Sequence, residues 1–139
     1  MLQATATIRV RYQETDKMGI AYHGNYFTWL EVARIHLLDS IDCPYKKMEK
    51  DGYLLPVIHC ECIYKSPAKF DDLIDVEVQM PGVGDARLNL IYTLKNQEKL
   101  IAKAKTTHAF VDDSGKVVRP PRDFIQKAKA AILRSHSSA

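Results

Sequence analysis

The chain has little of what commits a sequence to a special class. Its three cysteines, Cys43, Cys60 and Cys62, are odd in number and show no Cys-x-x-Cys spacing. That excludes a disulfide scaffold and predicts reduced thiols in a cytoplasmic protein. No apolar run approaches the roughly 20 residues that a membrane-spanning helix needs. The opening Met-Leu-Gln-Ala-Thr-Ala-Thr lacks the basic-then-apolar order of a signal peptide, so none is expected. Charge of one sign is also scarce: 20 Lys and Arg stand against 17 Asp and Glu, and the basic residues are scattered. A nucleic-acid partner is therefore not expected, while the mild +3 suits an anionic small molecule. No Gly-x-Ser-x-Gly surrounds Ser66 or Ser114 and no glycine-rich phosphate loop is present, which removes serine-hydrolase and P-loop chemistry. His59, Cys60 and Cys62 look metal-like at first. On a strand, however, the histidine faces away from both cysteines, and no second ligand pair follows, so no metal is expected.

What is present reads as one α+β domain spanning 1–139. Residues 6–13 alternate, with Ile8, Val10 and Tyr12 on one face, and predict a half-buried strand. A loop over 15–21 follows, and then a helix from Asn25 to Ile41. Its apolar face is Phe27, Leu30, Ala33, Leu37, Leu38 and Ile41, widened by Tyr26, Trp29 and Val32. Glu31 and Arg34 stand at pairing distance on that helix. Pro44 opens a short helix over 45–50, which Gly52 ends. Strand-like runs at 54–65, 73–80, 86–95 and 99–111 are separated by turn residues at 67–68, 81–84 and 96–98. Pro120-Pro121 precedes a terminal helix over 124–134, and a frayed tail is expected from Ser135 to Ala139. One long helix cannot cover both faces of a five-stranded sheet, so packing alone predicts a homo-oligomer.

The most specific stretch begins at Arg9 and reads Tyr-x-Glu-Thr-Asp-x-Met-Gly-x-x-Tyr-His-x-Asn-Tyr-x-x-Trp-x-Glu-x-Ala-Arg from Tyr12 to Arg34. It places a carboxylate, Asp16, in a turn and an imidazole, His23, seven residues on, where a helix begins. An unselected aspartate before a glycine would be read as a local Asx turn. Over this whole stretch the sequence resembles the hotdog-fold acyl-CoA thioesterases of the YbgC and 4-hydroxybenzoyl-CoA thioesterase branch. The resemblance implies a five-stranded antiparallel sheet wrapped around one long helix. It also implies hydrolysis of an acyl-CoA to a carboxylic acid and CoA, with coenzyme A part of the substrate and no further cofactor.

The resemblance makes Asp16 the carboxylate that acts on the thioester, either as nucleophile or as general base on a water. It assigns the backbone N–H at His23 to the carbonyl oxygen, aided by the helix dipole, and the His23 ring to assisting the chemistry. Tyr12 matches a tyrosine of the same pattern and reads equally well as a core aromatic. Asn25 is expected to cap the helix. Tyr22, Tyr26 and Trp29 line an acyl pocket or fill the core, with the core favoured, and Met18 either touches the acyl group or fills a gap. At the CoA end, Tyr64-Lys65-Ser66-Pro67-Ala68 resembles the family's Tyr-x-x-Pro-Ala stretch, and Lys65, Ser66, Arg87 and Arg119 are candidates for contacts to CoA. In such a fold the sites lie between subunits of a homodimer or homotetramer, and an acyl carrier protein is an alternative bearer of the thioester. A non-catalytic acyl-CoA or carrier-protein binding module is the rival reading, and a hotdog hydratase a more distant one.

Overall fold

The computed structural model of the chain describes residues 2–137. Strand β1 (Leu2–Arg9) leads through a single 3-10 turn (Tyr12–Glu14) into helix α1 (Asn25–Ser40) and the short helix α2 (Tyr45–Lys50). Strands β2 (Val57–Tyr64), β3 (Leu73–Met80), β4 (Arg87–Asn96) and β5 (Lys99–Ala109) follow, and helix α3 (Arg122–Ser137) ends the described chain. All strand pairs are antiparallel, in the order β1-β3-β4-β5-β2. With α1 laid against the sheet, this is the hotdog fold. No helix among the described residues is long and apolar enough to cross a membrane.

The period-two pattern sets the buried face. Ile74, Val76, Val78 and Met80 on β3 and Leu88, Leu90, Tyr92 and Leu94 on β4 are all buried, with the polar residues between them turned outward. Against this face α1 packs Tyr26, Trp29, Leu30, Ala33, Leu37 and Leu38. It lies over β1 and β3, where the small side chains of Ala4 and Ala6 let it approach. Phe27 and Val32, expected on the buried stripe, are instead exposed. Helix α1 meets β2 at Tyr64, through Tyr26, and covers little of the rest: every β2 residue is exposed except the half-buried Cys62.

Several boundaries differ from the sequence reading for identifiable reasons. Strand β1 begins at Leu2 because it pairs with β3 along its full length, from Leu2 opposite Met80 to Arg9 opposite Leu73. It stops short of residue 13 because the Glu14 carboxylate folds back onto the Arg11 N–H at 2.7 Å. Tyr12 consequently leaves the strand face and is 76% exposed. Pro56 has no N–H to donate, and β2 starts only after it. Helix α3 starts at Arg122, where the Pro121 carbonyl accepts the Ile125 N–H, and runs through 135–137, where fraying is expected. Residues 138 and 139 of that tail lie outside the described residues. The expected Glu31–Arg34 pair does not form; Arg34 instead donates to the Tyr92 hydroxyl at 3.2 Å.

Candidate active site

Two short segments place Asp16 beside the start of α1. The first is a small hairpin over 14–22, in which the Asp16 N–H donates to the Ile20 carbonyl and the Tyr22 N–H to the Glu14 carbonyl. Gly19, at φ +78°, makes the reversal. The second is the stretch after β2: the Ala21 N–H donates to the Ala68 carbonyl at 2.7 Å, which draws Lys65, Ser66 and Pro67 alongside the hairpin. A cavity of about 320 Å3 opens between them, lined by Asp16, Ile20, Ala21, His23, Tyr26, Tyr64, Lys65, Ser66 and Pro67.

The hairpin is anchored from below by Glu14. Its buried carboxylate accepts the Arg11 N–H, the Arg11 guanidinium at 3.4 Å and the Trp29 indole N–H at 3.0 Å. Burial alone would raise its pKa. The hydrogen bonds from Arg11 and Trp29, with the guanidinium charge, outweigh burial and hold it below the usual carboxylate range. The Glu14 carbonyl also accepts the Asn25 side-chain amide at 2.8 Å. Asn25 is therefore not the helix cap, a place taken by Gly24. It ties the Asp16 hairpin to the first turn of α1.

Asp16 is exposed and oriented by one oxygen. Its Oδ1 accepts the Met18 N–H at 2.8 Å, the local Asx bond, while Oδ2 has no protein partner among the described residues. At the helix start, the Asn25 and Tyr26 N–H groups are taken by the carbonyls of Tyr22 and His23. That leaves the N–H groups of His23 and Gly24 without protein acceptors among the described residues, at the positive end of the α1 dipole. A Cβ at Gly24 would stand 2.7 Å from the exposed Tyr22 ring, which lies tilted against His23 with ring centroids 4.4 Å apart. Asp16 and His23 line one cavity, which puts a free carboxylate oxygen, an imidazole and the open N–H of His23 around a space where acyl transfer at a carbonyl could use them.

The other sequence candidates divide. Lys65 and Ser66 line the cavity; Tyr26 does too, although it is buried and packed on Trp29. Trp29 is core. Tyr12 packs edge-on against Phe70 at 5.5 Å and does not line the cavity. Met18, 80% exposed, and Tyr22 flank it without lining it. Arg87 opens β4 opposite Ala109, and Arg119 lines a separate cleft of about 710 Å3 with Tyr53, Asp112 and Arg122; neither is brought to Asp16. Glu14 and Tyr64 belong to the site but do not stand out in the sequence. Their signal was adjacency to Asp16 in one case and the Tyr-x-x-Pro-Ala stretch in the other. No group of three or more His, Cys, Asp or Glu residues that could hold a metal occurs among the described residues.

Comparison with known proteins gives three findings. A family described as the thioesterase-like superfamily matches residues 10–128. The acyl-CoA thioesterase YbgC of Haemophilus influenzae is 31% identical over 126 residues, covering 90% of this chain and 90% of that one. The crystal structure of DHNA-CoA thioesterase from Staphylococcus aureus superposes with a TM-score of 0.87 at 29% identity, over 99% of this chain and 93% of that one.

Proposed function

The chain belongs to the thioesterase-like superfamily, and from that membership we propose that it is a thioester hydrolase cleaving an acyl-CoA to a carboxylic acid and CoA. The observation that carries the proposal is Asp16 Oδ2, unpartnered in a cavity it shares with His23 at the start of α1.

Two routes fit the arrangement. In the first, Oδ2 attacks the thioester carbonyl carbon, the C–S bond breaks, and CoA leaves as a thiolate that takes up a proton. Water then opens the mixed anhydride, releasing the acid and restoring the carboxylate. In the second, Asp16 takes a proton from water as that water adds to the carbonyl, and the proton passes to the leaving sulfur. In both, the His23 N–H at the start of α1 receives the developing oxyanion, and the His23 ring assists by donating to the leaving sulfur. Lys65 and Ser66 hold the CoA side. Coenzyme A enters as part of the substrate, and no further cofactor takes part.

A second copy of the chain completes the molecule. Strand β2 is an unpaired edge with Val57, Ile58, Ile63 and Tyr64 exposed, and Phe27, Val32 and Ile35 of α1 are exposed as well. An edge and an apolar surface of this kind favour pairing with a copy of the same chain. In a homodimer or homotetramer, Arg87 and Arg119 reach CoA only from a neighbouring copy. The free thiols of Cys43, Cys60 and Cys62 support the cytoplasmic location expected from the sequence.

The test is thiol release from a panel of short, long and aromatic acyl-CoAs by the wild type and by Asp16→Ala. Hydrolysis by the wild type, reduced at least about a hundredfold in a folded Asp16→Ala, is the expected result. Retained turnover in Asp16→Ala refutes the mechanism. Binding of CoA esters with no turnover by the wild type favours the non-catalytic module instead, and release from acyl carrier protein alone reassigns the substrate.

A further inference from the structure

Asn25 is the first residue of α1, and its side chain reaches back to the Asp16 hairpin. Its amide meets the Glu14 carbonyl at 2.8 Å, across 11 residues of sequence. A carbonyl only accepts, so the group facing it is the side-chain NH2. The same carbonyl accepts the Tyr22 N–H at 2.8 Å, so both of its lone pairs are used. The two donors come from opposite sides of His23 in the chain, and the acceptor lies just ahead of Asp16. One hydrogen bond alone would let the hairpin swing about it; a second, from beyond His23, fixes the angle. The Trp29 indole also holds Glu14, but it grips the carboxylate, which rotatable side-chain bonds separate from the backbone.

We infer that Asn25 is a positioning residue: by holding the Glu14 carbonyl it sets the Asp16 hairpin on α1, and with it the placement of the Asp16 carboxylate relative to His23 in the cavity both line. The inference rests on the hydrolase reading and adds a residue to it that acts through the hairpin, since Asn25 itself does not line that cavity. Aspartate at this place separates folding from turnover. The first turn of α1 carries no acidic residue, and a carboxylate there suits the positive end of the helix dipole, yet it cannot donate to the Glu14 carbonyl.

Asn25→Ala and Asn25→Asp are assayed by thiol release across the acyl-CoA panel, beside thermal denaturation. In both variants kcat should fall about tenfold, the scale of a small displacement of a reacting group. The factor should be the same for short, long and aromatic acyl groups, with KM within about twofold. Asn25→Asp should melt within about 5 °C of wild type, so that its lost turnover is not lost folding. The Glu14 carbonyl 13C resonance should move upfield in both variants, a readout independent of turnover. A merely structural residue would lower the melting temperature and leave kcat of the folded enzyme unchanged. A substrate contact would change KM, by an amount that depends on the acyl group. An unchanged kcat, or a loss confined to KM, overturns the inference and leaves the hydrolase reading standing. A wild type that releases thiol from no panel member overturns both.

Discussion

Replacing His108 by glutamine should flatten the pH dependence of folding stability between pH 7 and pH 5. His108 is fully buried on β5 and sits in a chain of hydrogen bonds whose direction is fixed at both ends. Arg34 can only donate, and it donates to the Tyr92 hydroxyl. Tyr92 then donates to Thr106 at 2.7 Å, and Thr106 to His108 Nε2 at 2.9 Å. His108 Nδ1–H is left to donate to the Leu55 carbonyl at 3.2 Å. Each bond is satisfied only if the imidazole is neutral. Burial, reinforced by the Arg34 charge, pushes its pKa from 6.5 down to about 4. The unfolded chain thus binds a proton that the folded chain refuses, so this stability is complete above pH 6.5 and is lost as pH falls toward 4. At about 1.4 kcal/mol per pH unit, the full effect is about 3 kcal/mol, of which about 2 kcal/mol lies between pH 7 and pH 5. Urea denaturation of wild type and His108→Gln across this range measures it, since every other titrating group is common to both. The wild type should lose about 2 kcal/mol more than the variant. Parallel curves, or a His108 titration by NMR above pH 6, would refute the reasoning.

Further outcomes follow from the anchoring of the site. Glu14→Gln puts an amide where three donors converge, and should cost about 2 kcal/mol in urea denaturation while lowering kcat; a variant within about 0.5 kcal/mol of wild type would show that the carboxylate does not hold the turn. Gly24→Ala has ordinary helical φ but must displace the Tyr22 ring. Its melting temperature should therefore stay at or above that of wild type while kcat/KM drops on the order of tenfold, and unchanged kcat/KM would mean the ring over Gly24 is dispensable.

Much of this molecule was legible in the sequence because the signals involved are local. The boundaries of α2 and β3 follow from Pro44 and Gly52, and from the alternation of Ile74, Val76, Val78 and Met80. The stretch from Tyr12 to Arg34 carried the family and pointed to Asp16 and His23, since seven residues of turn suffice to set a carboxylate beside a helix start. What distance in sequence separates, only the tertiary structure decided. The strand reading of Tyr12 failed because Glu14 closes on Arg11 and Trp29, a contact no period-two pattern contains. Asn25 looked like a cap, but its amide is used by a carbonyl 11 residues earlier. Lys65 and Ser66 line the cavity with Asp16 while Arg87 and Arg119 do not, because Ala21 pairs with Ala68 across the loop. The contact of Tyr64 with the His23 carbonyl and the chain from Arg34 to His108 were invisible for the same reason. Side-chain periodicity tells which face a residue is on, but which backbone carbonyl or hydroxyl it meets there depends on strand register and on how closely the helix approaches the sheet.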